Sequence, residues 1–65
     1  MTDVTNANGA TIDFEAAVNL MDDEICEALH ANGIENEQGF FAAYEKAHAE
    51  KYGGDWELSK ANPTW

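Results

Sequence analysis

The stretch Phe14-Glu15-Ala16-Ala17-Val18-Asn19-Leu20-Met21-Asp22-Asp23-Glu24-Ile25-Cys26-Glu27-Ala28-Leu29 decides the fold class of this 65-residue chain. Phe14, Ala17, Val18, Met21, Ile25, Ala28 and Leu29 recur at steps of three and four. At 100° per residue they fall within about 50° either side of one line, the pattern of an amphipathic helix. Ala16, Asn19, Asp23, Glu27 and His30 take the opposite side. Asp13 precedes the run as an N-cap, and Asn32-Gly33-Ile34 follows it as a Schellman stop, with Gly33 left-handed and Ile34 turned back on Leu29. Within the run, Asp22 can also cap a second helix whose first turn holds Asp23 and Glu24, where the helix dipole favours acids. The stretch is therefore either one helix or two with a break near Met21.

Downstream, Asn36 caps a further helix that runs to about Tyr52, with Phe40, Ala43, Tyr44 and Ala47 along its centre line and Gly53-Gly54 closing it. The Ile34-Glu35 link is short enough to make the helices an αα-hairpin. Asp55-Trp56-Glu57-Leu58 alternates polar and apolar and can lay Trp56 and Leu58 across that hairpin; Pro63 disfavours helix at Asn62, so the end reads as irregular. Upstream, residues 1–11 are short, polar and rich in Asn and Thr, with a turn-prone Asn8-Gly9. Such a segment offers little apolar surface and reads as a disordered N-terminal tail. The expectation is an all-α fold: a small helical hairpin of two or three helices over residues 12–65, a tail over 1–11, and an irregular C-terminal segment packed on the hairpin. The expected core is Ile12, Phe14, Val18, Met21, Ile25, Leu29, Ile34, Phe40, Phe41, Tyr44, Tyr52, Trp56 and Leu58.

Charge is the most unusual feature. Thirteen acids face three lysines, for a net charge of −10. Residues 1–45 hold no Lys or Arg at all, whereas Lys46, Lys51 and Lys60 balance Glu50, Asp55 and Glu57 in the remainder. A field of this sign repels nucleic acid and attracts basic protein surfaces. Asp13, Glu15, Asp22, Asp23, Glu24 and Glu27 are the acidic candidates for partner binding. Trp56 and Trp65 are the apolar ones, because tryptophan is enriched at binding hot spots, although in so small a domain such residues also serve to cover the core. A chain of this size is marginally stable alone, which keeps a homodimer through the tryptophans open.

No motif of an enzyme is present. Cys26 and His30 are four apart, with His48 as a third conceivable ligand. A structural zinc site takes four ligands, however, and there is no Cys-x-x-Cys pair, so the two read as a surface cysteine beside a surface histidine. As a nucleophile, Cys26 would sit toward a helix C-terminus among acids, which disfavours the thiolate. The run Asp22-Asp23-Glu24 lacks the twelve-residue layout and central glycine of a calcium loop, and Gly53-Gly54 closes a helix where a phosphate loop would open one. No catalytic residue, metal or cofactor is expected. One cysteine, no apolar run near 20 residues and no basic-then-apolar leader point to the cytoplasm.

The segments Phe14–Ile25, Phe40–His48 and Trp56–Trp65 together resemble short acidic proteins encoded on conjugative or phage-like mobile elements of gut Gram-positive bacteria. The resemblance implies service to such an element and carries no catalytic motif. The reading it leaves is a non-enzymatic protein-binding module; the alternative is an acidic DNA mimic that inhibits a nucleic-acid-binding protein.

Overall fold

In the computed structural model, which describes residues 2–33 and 36–63, the chain begins with two short strands: β1 (Asp3–Thr5) and β2 (Thr11–Asp13). They pair antiparallel with Asp3 opposite Asp13, Val4 opposite Ile12 and Thr5 opposite Thr11. Period-two alternation sends Val4 and Ile12 inward, 1% and 3% exposed, and leaves Asp3, Thr5 and Thr11 outside. Helices α1 (Phe14–Asn19), α2 (Asp23–Ala31) and α3 (Glu37–Tyr52) follow, then a single 3-10 turn at Glu57–Lys60.

The all-α expectation is therefore corrected: the fold is α+β, and part of the expected N-terminal tail is a strand. Two devices order it. The Asn6 side chain is almost fully buried and makes four hydrogen bonds. Its Oδ1 accepts from the backbone N–H groups of Asn8 (3.0 Å) and Ala10 (2.8 Å), shaping the turn, and its Nδ2 donates to the carbonyls of Leu58 (2.7 Å) and Ala61 (3.0 Å). Gly9, at φ 88°, supplies the left-handed residue that this turn needs. The second device is Gln38 of α3. Its amide accepts from Thr5 N (2.8 Å) and donates to Thr5 O (3.0 Å), occupying both backbone groups of Thr5 on the open edge of β1. Buried Val4, Ala10 and Ile12, with one buried asparagine, thus do what the polar composition argued against.

The Phe14–Leu29 run is broken, with Asp22 as the second cap. α1 stops at Leu20, Met21 turns inward, and Asp22 accepts from Glu24 N to start α2. α3 begins at Asn36, whose side chain accepts from Gly39 N at 2.7 Å, and ends at Gly53, φ 71°, whose N–H reaches Ala49 O. Gly33 is left-handed, as the stop signal predicts; Ile34 and the Ile34-Glu35 link lie outside the described residues.

The core gathers Val4, Ile12, Ala17, Met21, Ile25, Leu29, Phe40, Phe41, Tyr44, Trp56 and Leu58. Phe41 and Tyr44 from α3 form its centre, and Trp56 closes it with ring centroids 5.5 Å from Phe41 and 4.5 Å from Tyr44. Two expected core residues are outside, Val18 at 39% and Tyr52 at 56% exposure, and Phe14 is half-buried. Val18 is exposed because the break rotates α1 out of phase with α2, so the stripe joining Val18 to Ile25 does not exist in three dimensions. Among the described residues, no helix is long and apolar enough to cross a membrane.

Candidate protein-binding surface

The acids of residues 13–27 divide into a set held by the fold and a set that is not. Asp22 belongs to the first. Its Oδ2 receives Lys51 Nζ at 2.6 Å and the Tyr52 hydroxyl at 2.7 Å, and its backbone N–H donates to the Tyr44 hydroxyl at 2.8 Å. Lys51 also reaches Glu24 Oε2 at 2.8 Å. The Lys51 ammonium, with help from Tyr52, holds the Asp22 carboxyl below the usual carboxylate range. Asp22 and Glu24 in turn push Lys51 upward, and Asp22 pushes the Tyr52 phenol upward. These contacts tie the start of α2 to the end of α3. They arise because the break at Met21 puts an acidic first turn beside the last turn of α3, where a lysine suits the helix dipole.

The second set is exposed. Glu15, Asp23 and Glu27 lie on the surface, and none of them bonds another side chain among the described residues. Asp13 stands between the two sets: half-buried, it caps α1 by accepting from Ala16 N at 3.4 Å through Oδ2, and its Oδ1 is buried with no hydrogen-bond partner among the described residues. The hairpin adds an acid that the linear reading did not single out. Asp3 stands directly opposite Asp13, and directly opposed side chains in an antiparallel pair have Cβ atoms about 5 Å apart. Like charges so placed oppose folding, which marks this corner as acidic against local stability. The signal was present as the alternation Asp3-Val4-Thr5 and Thr11-Ile12-Asp13 around a glycine turn, but two three-residue strands are too short for periodicity to register.

The remaining candidates separate widely. Trp56 is 5% exposed, so its indole covers the core and offers little area to a partner or second copy; Trp65 lies outside the described residues. Cys26, His30 and His48 go to three different neighbours. The Cys26 thiol is directed at Met21 Sδ (3.7 Å), and burial, followed by Asp23 and Asp22, pushes its pKa up. The His30 ring packs 5.0 Å from that of Phe40, and His48 Nδ1 lies 3.2 Å from the Tyr44 hydroxyl. No three metal-ligating side chains converge among the described residues.

Two surface depressions show how charge is sorted. One, of about 370 Å³, lies between the hairpin turn, α3 and the 3-10 turn, where Lys46 and Lys60 meet Glu45 and Asp55. The other, of about 360 Å³, lies on α1 between Phe14, Glu15, Val18 and Asn19. The lysines thus occupy α3 and the C-terminal segment, while the hairpin and α1 carry acids alone.

A family model described as anti-CRISPR protein AcrIC5 matches residues 5–56, from the end of β1 to the core tryptophan. No curated protein matches the chain. Anti-CRISPR proteins are small proteins of phages and other mobile elements that inhibit CRISPR–Cas systems by binding their protein components, typically without catalysis. With most of its length matched, the chain belongs to the anti-CRISPR protein AcrIC5 family.

Proposed function

We propose that this protein inhibits a CRISPR–Cas system by non-covalent contact, using its acidic hairpin and helix surface to occupy a basic, nucleic-acid-handling face of a Cas protein. It would act in the cytoplasm on behalf of a phage-like or conjugative element, with a gut Gram-positive host suggested by the sequence resemblance. The observation that carries the reading is the absence of any Lys or Arg through residue 45, across the hairpin, α1, α2 and the first half of α3. A CRISPR–Cas effector must hold guide and target phosphates in positively charged channels. A surface that presents Asp3, Glu15, Asp23 and Glu27, with Asp13 half-buried beside them, competes for such a channel by the same electrostatics that bind the nucleic acid.

The family match supports the target system, and the sorted charge supports the face. Asp22 and Glu24 contribute less directly, since Lys51 neutralises part of their charge while fixing α2 in place.

The test is phage plaquing on a host whose CRISPR–Cas system targets that phage, with and without the chain, followed by binding to the purified effector complex across a salt series. Inhibition should restore plaques, and the affinity should fall steeply with salt, as a contact dominated by exposed charge does. Asp23→Lys with Glu27→Lys should weaken inhibition without unfolding the protein. Unchanged immunity in the presence of the folded chain would overturn the function. Salt-insensitive binding would retain inhibition but remove the mimicry of nucleic acid.

A further inference from the structure

We propose that the surface of α1 is a docking groove for a basic, amphipathic segment of a protein partner, which seats an apolar side chain between Phe14 and Val18 and pairs a lysine or arginine with Glu15. This rests on the reading above that the partner is a protein with a basic surface, and it adds an apolar anchor that mimicry of nucleic acid alone does not require.

Among the described residues the large hydrophobics left exposed are Val18 (39%), Leu20 (63%) and Tyr52 (56%). Tyr52 has a structural role, since its hydroxyl donates to Asp22. The other two belong to one short segment, on and just after a helix that buries only Ala17. Phe14, one turn before Val18, is half-buried; its ring meets Phe40 edge-on, with centroids 6.0 Å apart. Phe14 and Val18 therefore frame an apolar groove whose polar walls are Glu15 and Asn19.

Charge selects the occupant. Glu15 lies on α1, Asp13 and Asp23 flank it, and no cation occurs in this part of the sequence. Lys51 is already bonded to Asp22 and Glu24, and Lys46 and Lys60 line a different depression. A second copy of the chain would bring a net charge of −10 and another Glu15 to the same place, and nucleic acid has the wrong sign as well. A cationic helix with one apolar stripe matches both features, the groove being filled by the stripe and the rim by the charges. The groove between α2 and α3, at Ile25, Ala28, Leu29 and Ala47, is also apolar, but its two charged residues, Glu24 and Lys51, are paired with each other, so its lining offers a basic ligand no free carboxylate.

The experiment uses the full chain and two synthetic peptides of equal positive charge. One is a leucine–lysine helix with its leucines along one face; the other has serine in place of each leucine. Methyl NMR and fluorescence anisotropy follow binding. The leucine peptide should bind more tightly and shift the methyl resonances of Val18 and Leu20. Val18→Ser, checked for an unchanged circular-dichroism melt, should lower that affinity by about tenfold, the equivalent of one lost aliphatic contact. Glu15→Gln should weaken binding and flatten its salt dependence. Equal affinity for both peptides, methyl shifts confined to the α2–α3 groove, or wild-type affinity in Val18→Ser would each overturn the proposal. So would concentration-dependent shifts of Val18 without peptide, which would assign the groove to a second copy. The plaquing assay is read separately: its failure removes the proposed function and leaves the peptide result interpretable.

Discussion

Helices α1 and α2 start from the same local signal and end in opposite circumstances. Each is capped by an aspartate with extended backbone, Asp13 for α1 and Asp22 for α2, and each is acidic in its first turn, with Glu15 in α1 and Asp23 and Glu24 in α2. Yet α2 buries Ile25 and Leu29, and its cap is bonded by Lys51 and Tyr52 from α3. By contrast α1 buries Ala17 alone, its cap accepts one long hydrogen bond, and the opposing strand places Asp3 beside it. The contrast teaches that an acidic N-cap does not reveal whether its charge is spent on the fold or left for a partner. What decides is whether a cation from a distant part of the chain arrives beside it, as Lys51 does 29 residues after Asp22.

The largest expected effect divides the two helices. Ile25→Ala should destabilise the protein by about 3 kcal/mol, as deletion of a well-packed aliphatic side chain does, read as a lowered urea midpoint with an unchanged slope. A cost as large for Val18→Ala would break the comparison, because it would place α1 in the core after all. Next comes the hairpin. Asn6→Ala removes four hydrogen bonds, leaves the buried N–H of Ala10 unpaired and leaves the Leu58 carbonyl only its 3.4 Å bond from Ala61 N, which should cost about 2 kcal/mol. Amide exchange at Val4 and Ile12 should accelerate together with the 3-10 turn. If exchange rose in the hairpin alone, Asn6 would not be joining the two ends.

A subtler effect concerns pH. Lys51 and Tyr52 lower the folded-state pKa of Asp22, so the folded protein binds fewer protons at this site than the unfolded chain. The stability it contributes is complete above the ordinary value of 3.8 and is lost as pH falls through the lower folded value. In melting curves taken down the acid limb, Asp22→Asn should therefore lose less stability than the wild type, starting from a lower plateau near neutrality. Parallel curves would mean that the Lys51 contact does not distinguish Asp22 from its neighbours. The smallest effect is at Val18→Ser, which should change stability by no more than about 0.5 kcal/mol, as substitutions at exposed positions do.

Much of the helical framework was legible in the chain. Asn36 and Gly53 bound α3, Gly33 follows α2, Asp13 caps α1, and Asp22 caps α2 in one of the two arrangements that the run allowed, because capping is a transaction between residues two or three apart. The acidity of the surface was equally plain, being a property of composition. Less legible were the strands, whose pairing joins residues up to ten positions apart through a turn shaped by Asn6, and whose order depends on Leu58 and Ala61 at the far end of the chain. The expected core failed at Val18 for a related reason: helical periodicity extrapolates only while the helix continues, and a break of a few residues resets the phase.

By itself, then, the sequence determined where α1 begins, where α2 stops, the bounds of α3 and the sign of the surface, since these follow from near neighbours and from composition, while it left the break at Met21 open. Only the tertiary structure decided which carboxylates Lys51 neutralises, that Trp56 lies inside, that the N-terminal residues form a hairpin, and that α1 keeps an apolar face open. Those outcomes depend on contacts between residues from about a dozen to about fifty positions apart, or on which helix face meets the core, and no local pattern encodes either.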